Sequence, residues 1–151
     1  MDKVLIKRII FTSLTVLWMI MIFMFSNQSA DASTGSSKSF TKKTIITIYK
    51  LFDKDASEER LNEIVDMLDP PVRKFGHFTE FLVLGILVFA TLKAYGINNL
   101  YIAILICFLY SCSDEIHQLF ITGRSGNILD ITIDTFGSIC GILILNKFMK
   151  K

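Results

Sequence analysis

Cysteine is scarce in this 151-residue chain, and the three present, Cys107, Cys112 and Cys140, include no Cys-x-x-Cys pair. That excludes a thioredoxin-like redox motif and a zinc ribbon. Each cysteine lies in or beside an apolar run and reads as a small buried hydrophobe. An excess of charge of one sign is also missing, since 16 Lys and Arg against 14 Asp and Glu leave a formal charge of +2. Such a balance gives no strong positive field and argues against nucleic acid as a partner. Disorder is excluded because 52% of the residues are hydrophobic, far more than an unfolded chain carries. Histidine occurs only at 77 and 117, so the neighbours of these two residues are informative.

What the chain does have is long apolar runs. Ile9 to Phe25 holds no charge and is preceded by Lys3, Lys7 and Arg8; extended back to Ile6 it reaches the roughly 20 residues of a transmembrane helix. A cleaved signal peptide is the rival reading. The run is longer than the usual apolar region of such a peptide, and Gln28 fits poorly three residues before a cleavage after Ala30. Three further runs give spans at about 76–95, 100–120 and 128–148, joining a first at 6–25. Each of the later three reaches membrane length only by taking in acidic residues. Their apolar residues run nearly all the way round, unlike the single stripe of a soluble helix. The expectation is a single all-α domain over 1–151, a polytopic membrane protein built as a four-transmembrane-helix bundle with a small helical extracytoplasmic cap.

Lys3, Lys7, Arg8, Lys93, Lys147, Lys150 and Lys151 fall on one side of such a path, with Asp2 the only acid there. The positive-inside rule makes that side, with both termini, cytoplasmic in a multi-pass protein of the cell membrane; Arg73 and Lys74 on the other side count against it. Segment 26–75 is then extracytoplasmic. It opens on a polar stretch with turn character. Two helical patterns follow: one with Phe40, Ile45, Ile48, Leu51 and Phe52, the other with Asp55 and Glu58 at capping-box spacing, then Leu61, Ile64, Val65 and Leu68, ended by Pro70-Pro71. Helices on the membrane surface and helices packed into a cap both fit.

Beyond Asp2 and the eight acids of segment 26–75, the five that remain, Glu80, Asp114, Glu115, Asp130 and Asp134, all sit at the outer ends of spans. With a rise of 1.5 Å per residue, Asp114 and Asp134 lie about 9 Å below the outer boundary and Glu80 about 6 Å below it. His77 and Glu80 share a helix face, as do Asp114, His117 and Gln118. Asp130, Asp134, Gly137 and Gly141 form one stripe, and the Gly-x-x-x-Gly step lets another helix approach closely. Each intramembrane carboxylate costs roughly 2.5–3.5 kcal/mol even on the lenient insertion scale. Structural glue needs few such groups, so a functional cluster facing the bundle is the expectation.

The segments RKFGHFTEFLVLG (Arg73–Gly85), SDEIHQLFITGRSGNILDITIDTFGSICG (Ser113–Gly141) and FSNQS after the first helix resemble the VanZ-like membrane protein family over nearly the whole chain. The resemblance implies a bacterial envelope protein, with a namesake group associated with resistance to glycopeptides such as teicoplanin in Gram-positive bacteria. It also implies that Ser26, Gln28, Lys74, His77, Glu80, Asp114, Glu115, Gln118, Arg124, Asp130 and Asp134 hold the signature polar positions, with His117 the most replaceable neighbour. The long first loop is the departure from that pattern.

Several chemistries are compatible with these residues. An enzyme acting on an envelope lipid or lipid-linked precursor would use His77 or His117 as base, held in its tautomer by Glu80 or Asp114, with Glu115, Gln118, Asp130 and Asp134 around them. Arg124, helped by Arg73 or Lys74 and by Gln28 and Ser26, would bind substrate, since arginine offers bidentate geometry to a phosphate or carboxylate. Water is the expected nucleophile, with Ser113 the side-chain alternative. A divalent metal held by His77, Glu80, Asp114 and His117 is a weaker variant. A non-enzymatic module binding envelope precursors, drug or a partner membrane protein, or assembling as a homo-oligomer, is the alternative. Transport is disfavoured because the inner half of every span lacks acids.

Overall fold

A computed structural model describes residues 2–52 and 57–149, and every regular element in them is a helix: α1 (Lys3–Ser26), α2 (Ala30–Phe52), α3 (Glu58–Ala94), α4 (Leu100–Gln118) and α5 (Ile128–Met149). Four of these, α1, α3, α4 and α5, are long and apolar enough to cross a membrane. Large apolar side chains such as Leu17, Met24, Leu105, Leu109 and Phe136 stand exposed around them. Water would not tolerate so much continuous apolar surface, whereas acyl chains do. The chain is a multi-pass membrane protein with an all-α four-helix bundle.

Local signals start the helices. Asp2 caps α1 by accepting from the Val4 N–H at 3.1 Å, Ser57 caps α3, and Asn99 caps α4 through the N–H groups of Tyr101 and Ile102. These side-chain oxygens satisfy donors that have no partner inside the helix. The expected capping role of Asp55 lies outside the described residues, as do the side chains of Leu51 and Phe52.

The bundle alternates up and down. Arg8 at the start of α1 donates to the Ala94 carbonyl at the end of α3 (3.1 Å), and Thr15 meets Thr91 at 2.8 Å. Tyr110 of α4 donates to Met19 of α1 at 2.6 Å. Ile22, Phe81, Leu84, Val88, Phe89, Ala103, Cys107 and Ile142 form the shared core. Burial of Cys107 agrees with its reading as a small hydrophobe.

The closest approach is between α3 and α5. A methyl group placed on Gly137 would overlap the Phe78 carbonyl, one on Gly141 the Leu82 carbonyl, and one on Gly85 the Ser138 carbonyl. Backbone therefore lies against backbone along three turns, as a small-residue seam permits. Ser138 Oγ bridges the seam at 3.2 Å from the Phe81 carbonyl, while also bonding back to the Asp134 carbonyl at 3.0 Å.

One expectation fails here. Pro70-Pro71 do not end a helix: α3 runs through them for 37 residues, about 55 Å at the standard rise and well beyond a hydrocarbon core of about 30 Å. The prolines remove the N–H groups that would bond to the carbonyls of Asp66 and Met67. Both residues are exposed, so those carbonyls are open to solvent. Asp69, just before the prolines, is buried and fixed to α2 by Ser37 at 2.6 Å and Thr41 at 3.4 Å. Tertiary anchoring thus overrides the local preference against helix before proline.

The N-terminal half of α3 pairs with α2 as an antiparallel hairpin, the cap. Ile45, Leu61 and Val65 form its core, and Lys38–Asp66 (2.7 Å) and Lys42–Glu58 (3.9 Å) edge it. Packed helices, not isolated surface helices, make up the cap. Gly141→Ala and Gly137→Ala are each expected to destabilise the protein by about 1–3 kcal/mol, because overpacked backbone cannot relax by changing a rotamer. Gly35, with open space where its Cβ would go, supplies the control: Gly35→Ala should hold or raise the thermal midpoint of detergent-purified protein.

Candidate functional site

The carboxylates gather at one end of the bundle, where the cap joins it. The α3–α5 seam sets their register. Asp134 lies one turn before Gly137 on the buried face of α5 and is fully enclosed. Ser111 of α4 donates to its Oδ2 at 2.9 Å, and Nδ1 of His77 from α3 faces its Oδ1 at 3.9 Å. Asp134 therefore stands behind His77, with Ser111 holding it in place. On α4, Asp114 accepts from Gln118 Nε2 at 3.1 Å; the i, i+4 step read from the sequence brings this pair together.

A cleft of about 770 Å³ opens between α1, α2 and α3. Its polar lining includes Ser26, Gln28, Arg73, His77, Glu80, Asp114 and Arg124, and its walls are largely apolar, with Trp18, Ile22, Phe40, Phe75 and Val83. Trp18 is fixed by donating from Nε1 to the Glu80 carbonyl at 2.9 Å. A smaller pocket of about 150 Å³ lies on the other side of His77 and Arg73, lined also by Pro70, Lys74, Asn127 and Asp130. There Lys74 pairs with Asp130 at 3.2 Å.

The loop after α4 delivers Arg124. Gly123 takes φ 77°, a left-handed conformation that glycine adopts without a Cβ penalty. The Arg124 N–H bonds to the Ile121 carbonyl at 3.1 Å, closing the turn. Burial pushes the Arg124 guanidinium below its ordinary pKa and Arg73 pushes the same way, while Asp114, Glu115 and Glu80 push it back up. Among the described residues neither Arg124 nor Arg73 has a carboxylate within 4.0 Å. The Arg124 Nε is buried without a hydrogen-bond partner, and Arg73 donates to Thr34 at 3.2 Å.

Several expected site residues are placed elsewhere. His117 stacks on Phe23 (centroids 4.4 Å apart) and meets Asn27 Oδ1 at 3.3 Å, outside the cleft lining. Among the described residues no group of three or more His, Cys, Asp or Glu is arranged to hold a metal ion. The residue facing His77 is Asp134, not the expected Glu80 or Asp114. Glu115 points to the loop, where its Oε2 accepts the Asn127 N–H at 2.8 Å and so fixes the approach to α5. Ser113 is exposed and bonds to the Tyr110 carbonyl of its own helix at 2.7 Å.

Other contributors escaped the sequence reading. Ser111 precedes Asp114 by three residues and shares its face, a spacing that was available. Asn127 accepts the Leu129 N–H at 3.0 Å and caps α5; an asparagine just before an apolar run is a helix-start signal. Trp18 and Thr34 carried no such signal, because their roles arise only when α1 and α2 meet α3.

The VanZ/LLP1 family model matches residues 11–149. No curated protein and no solved structure matches the chain. Ser111→Ala is expected to cost roughly 1–3 kcal/mol of stability, since it strips a donor from a buried carboxylate. Ser113→Ala should stay within about 0.5 kcal/mol of the parent, and thermal unfolding of the two purified variants checks the difference.

Proposed function

The chain belongs to the VanZ/LLP1 family, and from that premise we propose that it acts at the outer leaflet of a bacterial cell membrane on a lipid or lipid-linked envelope precursor. The observation that carries this reading is one cleft with apolar walls that also presents His77, Glu80, Asp114 and Arg124. Apolar walls suit a hydrocarbon chain, and the polar end suits a head group at the level where membrane meets water. The basic residues flanking the other end of the bundle support termini in the cytoplasm and a cleft on the outer side.

In the catalytic form of this reading water is the nucleophile. His77 takes the proton from water as its oxygen attacks the substrate, and Asp134 behind the ring steadies the imidazolium that results. Glu80 or Asp114, whichever carries the proton, returns one to the departing oxygen. Arg124 and Arg73 hold the anionic part of the substrate. A binding module without turnover is the second reading. It is favoured by the buried, unpartnered Nε of Arg124 beside apolar walls, which can hold an anionic amphiphile without turning it over. In either form, changing or sequestering an envelope precursor gives the chain a route to glycopeptide resistance.

Glu80→Gln, Asp114→Asn and His77→Ala should each abolish any gain in teicoplanin tolerance of a susceptible Gram-positive host while membrane levels stay near those of the parent. His117→Ala should keep the gain. Variants that fail to accumulate would mean that the carboxylates serve the fold, and tolerance that survives all three changes would remove the cleft from the mechanism.

A further inference from the structure

The described residues leave two permanent cations at this end of the bundle without a carboxylate partner, Arg73 and Arg124. The pairing is selective, because Lys74, next in sequence to Arg73, is bound to Asp130 at 3.2 Å. Both arginines line the large cleft. They come from different elements, α3 and the loop after α4, and lie near enough for the positive charge of Arg73 to bear on Arg124. Two like charges brought together around a buried, unpartnered Nε form an arrangement that an anion stabilises. Guanidinium groups suit phosphate because each can donate two parallel hydrogen bonds to its oxygens.

Depth separates these cations from the acids of the same cleft. Arg73 precedes His77 by one turn and Glu80 by two, so along α3 it sits about 6 Å and about 10 Å beyond them. Arg124 follows the end of α4 at Gln118, and Asp114 lies a turn inside that end. The cations therefore stand nearer the cap and the carboxylates nearer the middle of the bundle. Below the arginines, at the level of Glu80 and Asp114, the wall carries the apolar side chains Trp18, Ile22 and Val83. A molecule meeting both halves has a phosphate at one end and hydrocarbon at the other.

We infer that the cleft binds a phosphate-bearing lipid, its phosphate clamped between Arg73 and Arg124 and its hydrocarbon chain laid along Trp18. This rests on the proposed lipid reading and narrows it to one chemical class. It also selects Arg73 over Lys74 as the companion of Arg124. The phosphate clamp and the acid–base groups occupy different levels, so binding and any chemistry separate by mutation.

Trp18 is the only tryptophan in the chain and reports on its own cleft. Purified protein in a neutral detergent is titrated with phosphatidylglycerol brominated in its acyl chains, or with equally brominated diacylglycerol, and quenching of the indole is followed. Phosphatidylglycerol should half-quench at a mole fraction at least tenfold lower than diacylglycerol. Arg73→Gln and Arg124→Gln should each erase most of that preference, Arg124→Lys should weaken it about threefold or more while keeping a charge for the fold, and Lys74→Gln should leave it within twofold. Millimolar glycerol phosphate, which has the anion without the chain, should not compete.

Equal quenching by the two lipids, with each exceeding nonspecific quenching in the detergent micelle, overturns the clamp but leaves a lipid in the cleft. Quenching that never exceeds that baseline removes the lipid reading itself. Competition by glycerol phosphate at the same potency assigns the arginines to a free anion and overturns the inference. Loss of preference in Lys74→Gln, with none in the arginine variants, overturns the choice of residues. Each variant is first shown to be monodisperse by size exclusion.

Discussion

The contact of α3 with α5 along Gly85, Gly137 and Gly141 is the constraint on which the rest of the structure depends. Without side chains at these positions, carbonyls of one helix lie where the other's Cβ atoms would be. That proximity leaves little freedom of register. It sets Asp134 opposite His77 and allows Ser138 to bond across to the Phe81 carbonyl. A seam loosened by a single methyl group would separate the two helices that carry the most enclosed carboxylate and its facing imidazole. Fold and site thus share one set of residues.

Within that frame the polar end divides into parts with different duties. Asp134, Ser111 and Gln118 lie behind the cleft and hold the groups that face it. Glu115 and Asn127 fasten the loop that carries Arg124. Asp69, tied to Ser37 and Thr41, joins the cap to the bundle where proline would otherwise weaken α3. Intramembrane carboxylates are costly, and the cost is offset here by hydroxyl, amide and backbone donors more than by ion pairs. The arginines consequently remain available at the cleft.

Much of this was legible in the sequence because membrane burial imposes strong rules. Four apolar lengths, the concentration of acids at one end and the Gly-x-x-x-Gly step in α5 all follow from what a bilayer forbids. Face-sharing by His77 and Glu80, and by Asp114 and Gln118, follows from helical periodicity alone. Proline chemistry misled, because the helix-breaking tendency of Pro70-Pro71 is local whereas the anchoring of Asp69 to α2 is tertiary. His117 misled for a related reason: sharing a face with Asp114 places it on the same helix side, but only the approach of Phe23 and Asn27 decides what it touches. The partner of His77 was hidden because it depends on the α3–α5 register, to which no single segment commits.

Native mass spectrometry of the protein released from lipid nanodiscs tests the central claim, that this cleft holds a lipid through its phosphate, most directly. The account predicts one phosphate-bearing lipid retained on each parent chain and lost together from the Arg73→Gln and Arg124→Gln variants, with the folded mass and charge distribution unchanged. A parent chain that emerges bare, or one that keeps the same lipid after both arginines are replaced, would contradict it.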